Sequence, residues 1–385
     1  MCQVAGRVPA APRVAAVAIA GASAAGGNDA VRPGGCANGR PIAARRRDGE
    51  EHVATAVPEL DRIDSARFDQ EVVAPFRPVV LRGLAAHWPA VAAARRSDEA
   101  VVDYLAALDS GRPAQLFIGP PEIGGRFFYD AALGGCNFQT RAAPLGALMR
   151  HLLLTRDQRD VEALYAGAAA TDEHLPAWSA HNPLPFDLPT ARARVWVGNR
   201  TDVATHFDEA SNIAVVVAGR RRFTLFPPEQ VDNLYVGPLH LTIAGPPVSM
   251  VDCEHPDLAT YPRFAEAQRH AMVADLEPGD AIYIPPIWWH DVRALAPFNV
   301  MVNHWWEEVG AVSPLAALKT TLRAVRDLPP SHRAAWRHWF ERFVFDDDAA
   351  HAADHLPDHA RGLVGPPSAM RDAFLRRQDE RDRRE

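Results

Sequence analysis

The chain has 385 residues, 48% of them hydrophobic and 23% charged, and a net charge of −7. That length suits one large domain plus an appendage, or two modest domains. The acidic balance argues against a nucleic-acid-binding surface, and no apolar run approaches the length of a membrane span.

Residues 1–55 are Ala, Gly, Pro and Arg with scattered polar residues and no lasting period. Such a segment cannot bury enough apolar surface to offset its ordering entropy, so it reads as a disordered extension. From there to residue 308 the texture is that of a folded domain. Residues 65–73 predict a short helix capped by Ser65, residues 78–82 a strand, and Gly83 a turn. Helical periodicity follows over 97–108 and 144–155, with strands predicted at 115–118 and 161–165.

The centre is dominated by short β-rich runs at 195–197, 205–217, 221–226, 280–284, 290–295 and 299–306, separated by Gly, Pro and Asn turns. Strands spaced in this way favour a sandwich or a barrel. Beyond residue 308 the pattern becomes helical, over 314–327, 331–343 and 368–381. Apolar positions there, such as Leu322, Val325, Trp336, Phe340 and Phe343, would cover the barrel or form a homodimer face.

Four cysteines (Cys2, Cys36, Cys136 and Cys253) form no CxxC pair. This suggests reduced thiols in a cytoplasmic protein rather than a disulfide frame or a zinc site. Lys319 is the only lysine, so a bound anion must be met by Arg, His, hydroxyls or backbone.

The residues with the most chemistry are His206, Asp208 and His290. Alternation along a strand would put His206 and Asp208 on one face as a two-toothed metal clamp. His290 follows 290 − 206 = 84 residues later, after a Glu277-Pro-Gly-Asp280 turn and a Pro285–Trp289 corner. Two imidazoles and one carboxylate on one face of a metal leave its other positions open, an arrangement suited to non-haem Fe(II).

Four linked motifs carry a resemblance. They are His206-Phe-Asp208-Glu-Ala-Ser-Asn212, Gly219-Arg-Arg-Arg-Phe-Thr-Leu-Phe-Pro-Pro228, Pro278-Gly-Asp280 with Trp288-Trp289-His290, and Val302-Asn303-His-Trp-Trp306. In this order they resemble the cupin-like JmjC group, which includes an asparaginyl hydroxylase, over residues 57–308. The resemblance implies a mainly β fold, a double-stranded β-helix (jelly-roll) core with flanking N-terminal helices and a C-terminal helical region. It also implies Fe(II) held by His206, Asp208 and His290, with 2-oxoglutarate and O2 as cosubstrates. The expected reaction hydroxylates a protein side chain or small metabolite and releases succinate and CO2.

The resemblance further assigns cosubstrate contacts. Arg221 stands where such hydroxylases carry a lysine for the far carboxylate of 2-oxoglutarate, and Tyr165 matches a tyrosine beside it. Asn212 and Asn303 match paired asparagines lining the same pocket. Val203 replaces a family threonine. By alternation, Arg221 shares a face with Phe223 and Leu225, whereas Arg220 and Arg222 do not. Trp288, Trp289, Trp305 and Trp306 read either as barrel packing or as an aromatic cage for a cation. A metal-dependent cupin enzyme without 2-oxoglutarate, or a non-catalytic binding module, remains open at this level.

Overall fold

The computed structural model describes residues 54–61, 63–243, 245–306 and 313–382. Two sheets carry the architecture. A six-stranded sheet runs in the order Thr55–Ala56, Met272–Leu276, Arg221–Phe226, Trp289–Ala294, Asp202–His206, Arg126–Phe127. A nine-stranded sheet runs Glu59–Asp61, Val79–Arg82, Ala281–Ile284, Ser211–Ala218, Asn299–Trp306, Arg192–Gly198, Ala163–Ala170, Pro113–Gly119, Gln139–Pro144.

From residue 202 to 306 the chain repeatedly crosses between the sheets. Asp202–His206 lies in the first, Ser211–Ala218 in the second, and Arg221–Phe226 back in the first; Ala281–Ile284, Trp289–Ala294 and Asn299–Trp306 alternate likewise. This winding is the cupin jelly roll, which covers its faces rather than leaving open apolar sheet. Between the sheets, Val216, Ile282, Ile284 and Met301 meet Phe223, Leu225, Leu276 and Val292. The outer face of the larger sheet, with Ile213, Val215, Tyr283 and Val302, packs against helical residues such as Trp88, Val91, Leu105 and Leu148. Ser211–Ala218 is buried at every position, which explains the apolar run from Ile213 to Ala218.

Most predicted elements are present, with several differences. The N-cap of the first helix is Asp64, whose carboxylate accepts from Arg67 N, while Ser65 Oγ donates to Pro185 O. That helix continues as a π-helical turn at Asp69–Val73. The single strand expected over 205–217 is two strands, Asp202–His206 and Ser211–Ala218, because the chain changes sheets between them. Met272–Leu276 was not anticipated as a strand. Of residues 1–55, only Ala54 and Thr55 fall among the described residues, and Thr55 already pairs with Met272.

After residue 313 come helices Pro314–Val325, Pro330–Phe340 and Ala369–Asp382. The first is capped by Ser313, whose hydroxyl also donates to the Glu209 carboxylate at 2.8 Å. Leu315 N donates to the same carboxylate. No residue of Pro314–Val325 or Pro330–Phe340 is buried. Among the described residues, no helix is long and apolar enough to cross a membrane.

Candidate metal centre

His206 ends its strand and pairs directly across the sheet with His290. The 84-residue separation thus closes into one cross-strand contact, with the two ring centroids 4.4 Å apart. Asp208 does not share His206's strand; it sits two residues past the strand end, where the chain turns toward Ser211. The clamp expected from strand alternation is therefore made by a turn. One ligand atom from each of His206, Asp208 and His290 lies within 4.8 Å of the others.

The local chemistry orients all three side chains. His206 Nδ1 lies 2.9 Å from Ala204 O, and His290 Nδ1 lies 3.0 Å from Trp288 O. A backbone carbonyl at each Nδ1 selects the tautomer with its proton there and leaves Nε2 as the free donor atom. Burial pushes the His290 pKa down to about 4, with the neighbouring His206 adding to the effect. A neutral imidazole is the ligand form. The Asp208 Oδ2 atom accepts from Trp305 Nε1 at 3.1 Å and from Asn212 Nδ2 at 3.5 Å.

The corner that delivers His290 is strained. Ile287 has φ of 57°, a conformation that a β-branched residue seldom adopts. Its N–H donates to Asp208 O at 2.8 Å, tying the carboxylate's backbone to the histidine's corner. Strain held in this way is common where geometry serves a site.

The four residues expected to serve a cosubstrate divide in two pairs. Asn303 Nδ2 donates to Asn212 Oδ1 at 3.0 Å, and both amides line the cavity that holds the three candidate ligands. Asn303 Oδ1 is buried without a partner among the described residues. Arg221 is 1% exposed and faces Tyr165, which lines the same cavity. Burial lowers the Arg221 pKa and raises that of Tyr165 to about 12, the opposing charge of Arg221 moderating the latter. Nε, Nη1 and Nη2 of Arg221 form no well-aligned hydrogen bond among the described residues, and the Tyr165 hydroxyl is the neighbour that partly offsets the burial.

Arg222 instead pairs with Asp275 at the surface, and Arg220 is exposed. Gly219, at φ 75°, makes the turn before them. A side chain there would run into Phe298 O and the Asn299 amide, so this turn needs glycine.

The four tryptophans do not form one cage. Trp288 lies in the core between the sheets, Trp289 packs with Phe207, and Trp306 packs against Phe68 and Tyr283. Only Trp305 of these lines the cavity. His304 points away, buried against Trp88.

The sequence reading missed Trp305 as a partner of Asp208, although its shared parity with Asn303 on one strand was the available signal. It also missed Trp196, which lines the cavity and stacks on Tyr165 at 5.4 Å.

A cupin-like domain model matches residues 65–311. The chain belongs to the cupin-like family, in its JmjC-type branch. This cupin-like chain is 34% identical over 146 residues to tRNA wybutosine-synthesizing protein 5 of Danio rerio, covering 34% of this chain and 42% of that protein. It is 36% identical over 114 residues to HSPB1-associated protein 1 of Homo sapiens, covering 29% of this chain and 22% of that protein. A third relative is Lysine-specific demethylase JMJ31 of Arabidopsis thaliana, 35% identical over 102 residues, or 26% and 18% of the two chains. Each match spans less than half of the relative's own length. The span matched by the cupin-like domain model contains His206, Asp208 and His290.

Proposed function

We propose that the protein is an Fe(II)- and 2-oxoglutarate-dependent oxygenase that hydroxylates a protein side chain or a small metabolite. Arg221 is the observation that carries this reading beyond a metal site. A fully buried guanidinium without a carboxylate partner among the described residues is costly, because the Tyr165 hydroxyl offsets its desolvation only in part. A carboxylate matches it in charge and in bidentate geometry. Tyr165, which Arg221 faces, lines the same cavity as the three candidate ligands, so a dicarboxylate there would have a cation toward one end and a metal toward the other.

In this reading His206, Asp208 and His290 would hold Fe(II). Bound there, Fe(II) with 2-oxoglutarate and O2 supplies the oxidising chemistry for C–H hydroxylation, with release of succinate and CO2. The chain's own residues bind, orient and exclude water. Arg221 neutralises the far carboxylate, and the Tyr165 hydroxyl, kept protonated by burial, donates to it. Asn212 and Asn303 offer amide contacts in the cavity, with the bare Asn303 Oδ1 available as an acceptor. Trp305 and the tie from Ile287 hold Asp208 while the apolar walls keep bulk water out.

Anaerobic titration tests the proposal. Metal-loaded protein should bind 2-oxoglutarate saturably, and His206→Ala and Arg221→Met should each abolish that binding. Metal-loaded wild type without affinity for 2-oxoglutarate rejects it.

A further inference from the structure

The strand Arg192–Gly198 alternates its side chains between the two faces of the larger sheet. Ala193, Val195 and Val197 pack with the helices on the outer face. Trp196 faces inward and lines the metal cavity, and Arg192 and Arg194 share its parity. Register fixes what they stand beside. Arg192 is the cross-strand partner of Trp305, which donates to Asp208, and Arg194 is the partner of Asn303, which donates to Asn212. Two cations thus lie one strand spacing, about 4.8 Å, from residues that line the metal cavity.

Arg194 is half-buried and Arg192 exposed. Arg194 Nη1 donates to Ala168 O at 3.4 Å, and Ala168 itself lines the cavity. A bulge delivers that carbonyl: the pairing of Ala163–Ala170 with Arg192–Gly198 slips between Ala166 and Ala169, and Ala168 has φ of 53°. A non-glycine residue held there is strained, as is common beside a binding site. A guanidinium has five N–H donors, so one long bond leaves most of them free. Neither arginine has an ion-pair partner among the described residues. Two like charges on one face of a strand repel, and an anion between them relieves this.

The cosubstrate does not account for these cations. Tyr165 is the cross-strand partner of Gly198, four residues from Arg194 and six from Arg192. At roughly 3.3 Å per residue those are separations of about 13 and 20 Å along the strand. A five-carbon diacid with one carboxylate beside Tyr165 and Arg221 is shorter than either. We propose that Arg194 and Arg192 form a second anion site, at the end of the strand remote from Tyr165, and that the substrate offered to the metal carries a carboxylate or phosphate held there. This rests on the oxygenase reading, whose cosubstrate takes the Tyr165 and Arg221 side.

The test uses full-length protein loaded with redox-inert Zn(II) and calorimetric titration with two matched pairs of probes: phenylacetate against phenylacetamide, and benzyl phosphate against benzyl alcohol. One anion or both should bind at least about tenfold more tightly than its neutral partner, and the pair that shows this names the anion. Arg194→Gln, with its fold checked by its melting temperature, should remove most of the preference. Arg194→Lys, which keeps the charge and loses the fork, should retain part of it. Arg192→Gln should weaken the preferred anion about threefold or more. Two results overturn the proposal: no preference for the anion in either pair, or a preference that Arg194→Gln leaves intact, which would put the anion on the metal or on Arg221. So does a preference that saturating 2-oxoglutarate competes away. Wild type without 2-oxoglutarate affinity rejects the oxygenase reading instead, and leaves the anion preference readable.

Discussion

The indole N–H of Trp305 donates to Asp208 Oδ2 at 3.1 Å. Asp208 lies in a turn, so no strand alternation holds its carboxylate in place. An outer hydrogen bond is what leaves one carboxylate oxygen occupied and directs the other. Trp305→Phe retains a ring in the cavity wall and deletes only that donor and the larger indole. Metal affinity should fall roughly 10–100-fold, read by anaerobic titration. Unchanged affinity would assign the orientation of Asp208 to Asn212 and the Ile287 tie instead.

Arg221 sets stability against function. Replacing a buried guanidinium that has no carboxylate partner among the described residues with a hydrocarbon of similar length removes a desolvated charge. Arg221→Met should therefore raise the stability of the cosubstrate-free protein by roughly 1–3 kcal/mol in urea melts. The same variant should lose 2-oxoglutarate binding. A variant less stable than wild type would mean that the guanidinium is structurally engaged in the fold.

His304 should make stability depend on pH. Burial pushes its pKa from 6.5 down to about 4. The unfolded chain thus takes up a proton near pH 6.5 that the folded chain refuses until about pH 4. The full stability is present above pH 6.5 and declines as pH falls toward 4, where the loss levels off. At 1.36 kcal/mol per unit, the loss is roughly 3 kcal/mol. His304→Phe should flatten the wild-type curve by that amount in this window, compared by denaturant melts at stepped pH. Parallel curves would refute the assignment.

The helix Pro330–Phe340 exposes Trp336 and Trp339 at 47% and 60%, and their ring ladder continues to Phe343. No residue of this helix is buried against the rest of the described structure. A second copy of the chain is the proposed cover. Sedimentation equilibrium should give a dimer, and Trp339→Asp a monomer; a monomeric wild type contradicts the proposal.

Much of this was legible before any fold was known. The strand Asn299–Trp306 has the predicted bounds, and the helix Asp98–Leu108 falls within one residue of the span its periodicity predicts, because both signals are local. Arg221 was separable from Arg220 and Arg222 by parity alone, and burial agrees. The error at 205–217 came from reading one β-rich run as one strand. β propensity reports the pleated environment of each residue and is silent about a change of sheet between residues 206 and 211. The aromatic cage failed for a related reason: four tryptophans close in sequence went to separate packing environments.

The sequence by itself determined the donor atoms and their order: two imidazoles, one carboxylate and an arginine in place of a family lysine. These are properties of side chains, and no fold changes them. Only the tertiary structure decided that His206 and His290 are cross-strand partners, that Asp208 is delivered by a turn, and that Arg221 lies buried beside Tyr165 without a carboxylate partner among the described residues. Distance and burial depend on register between segments up to 84 residues apart, and that register is set by the packing of two sheets around one core.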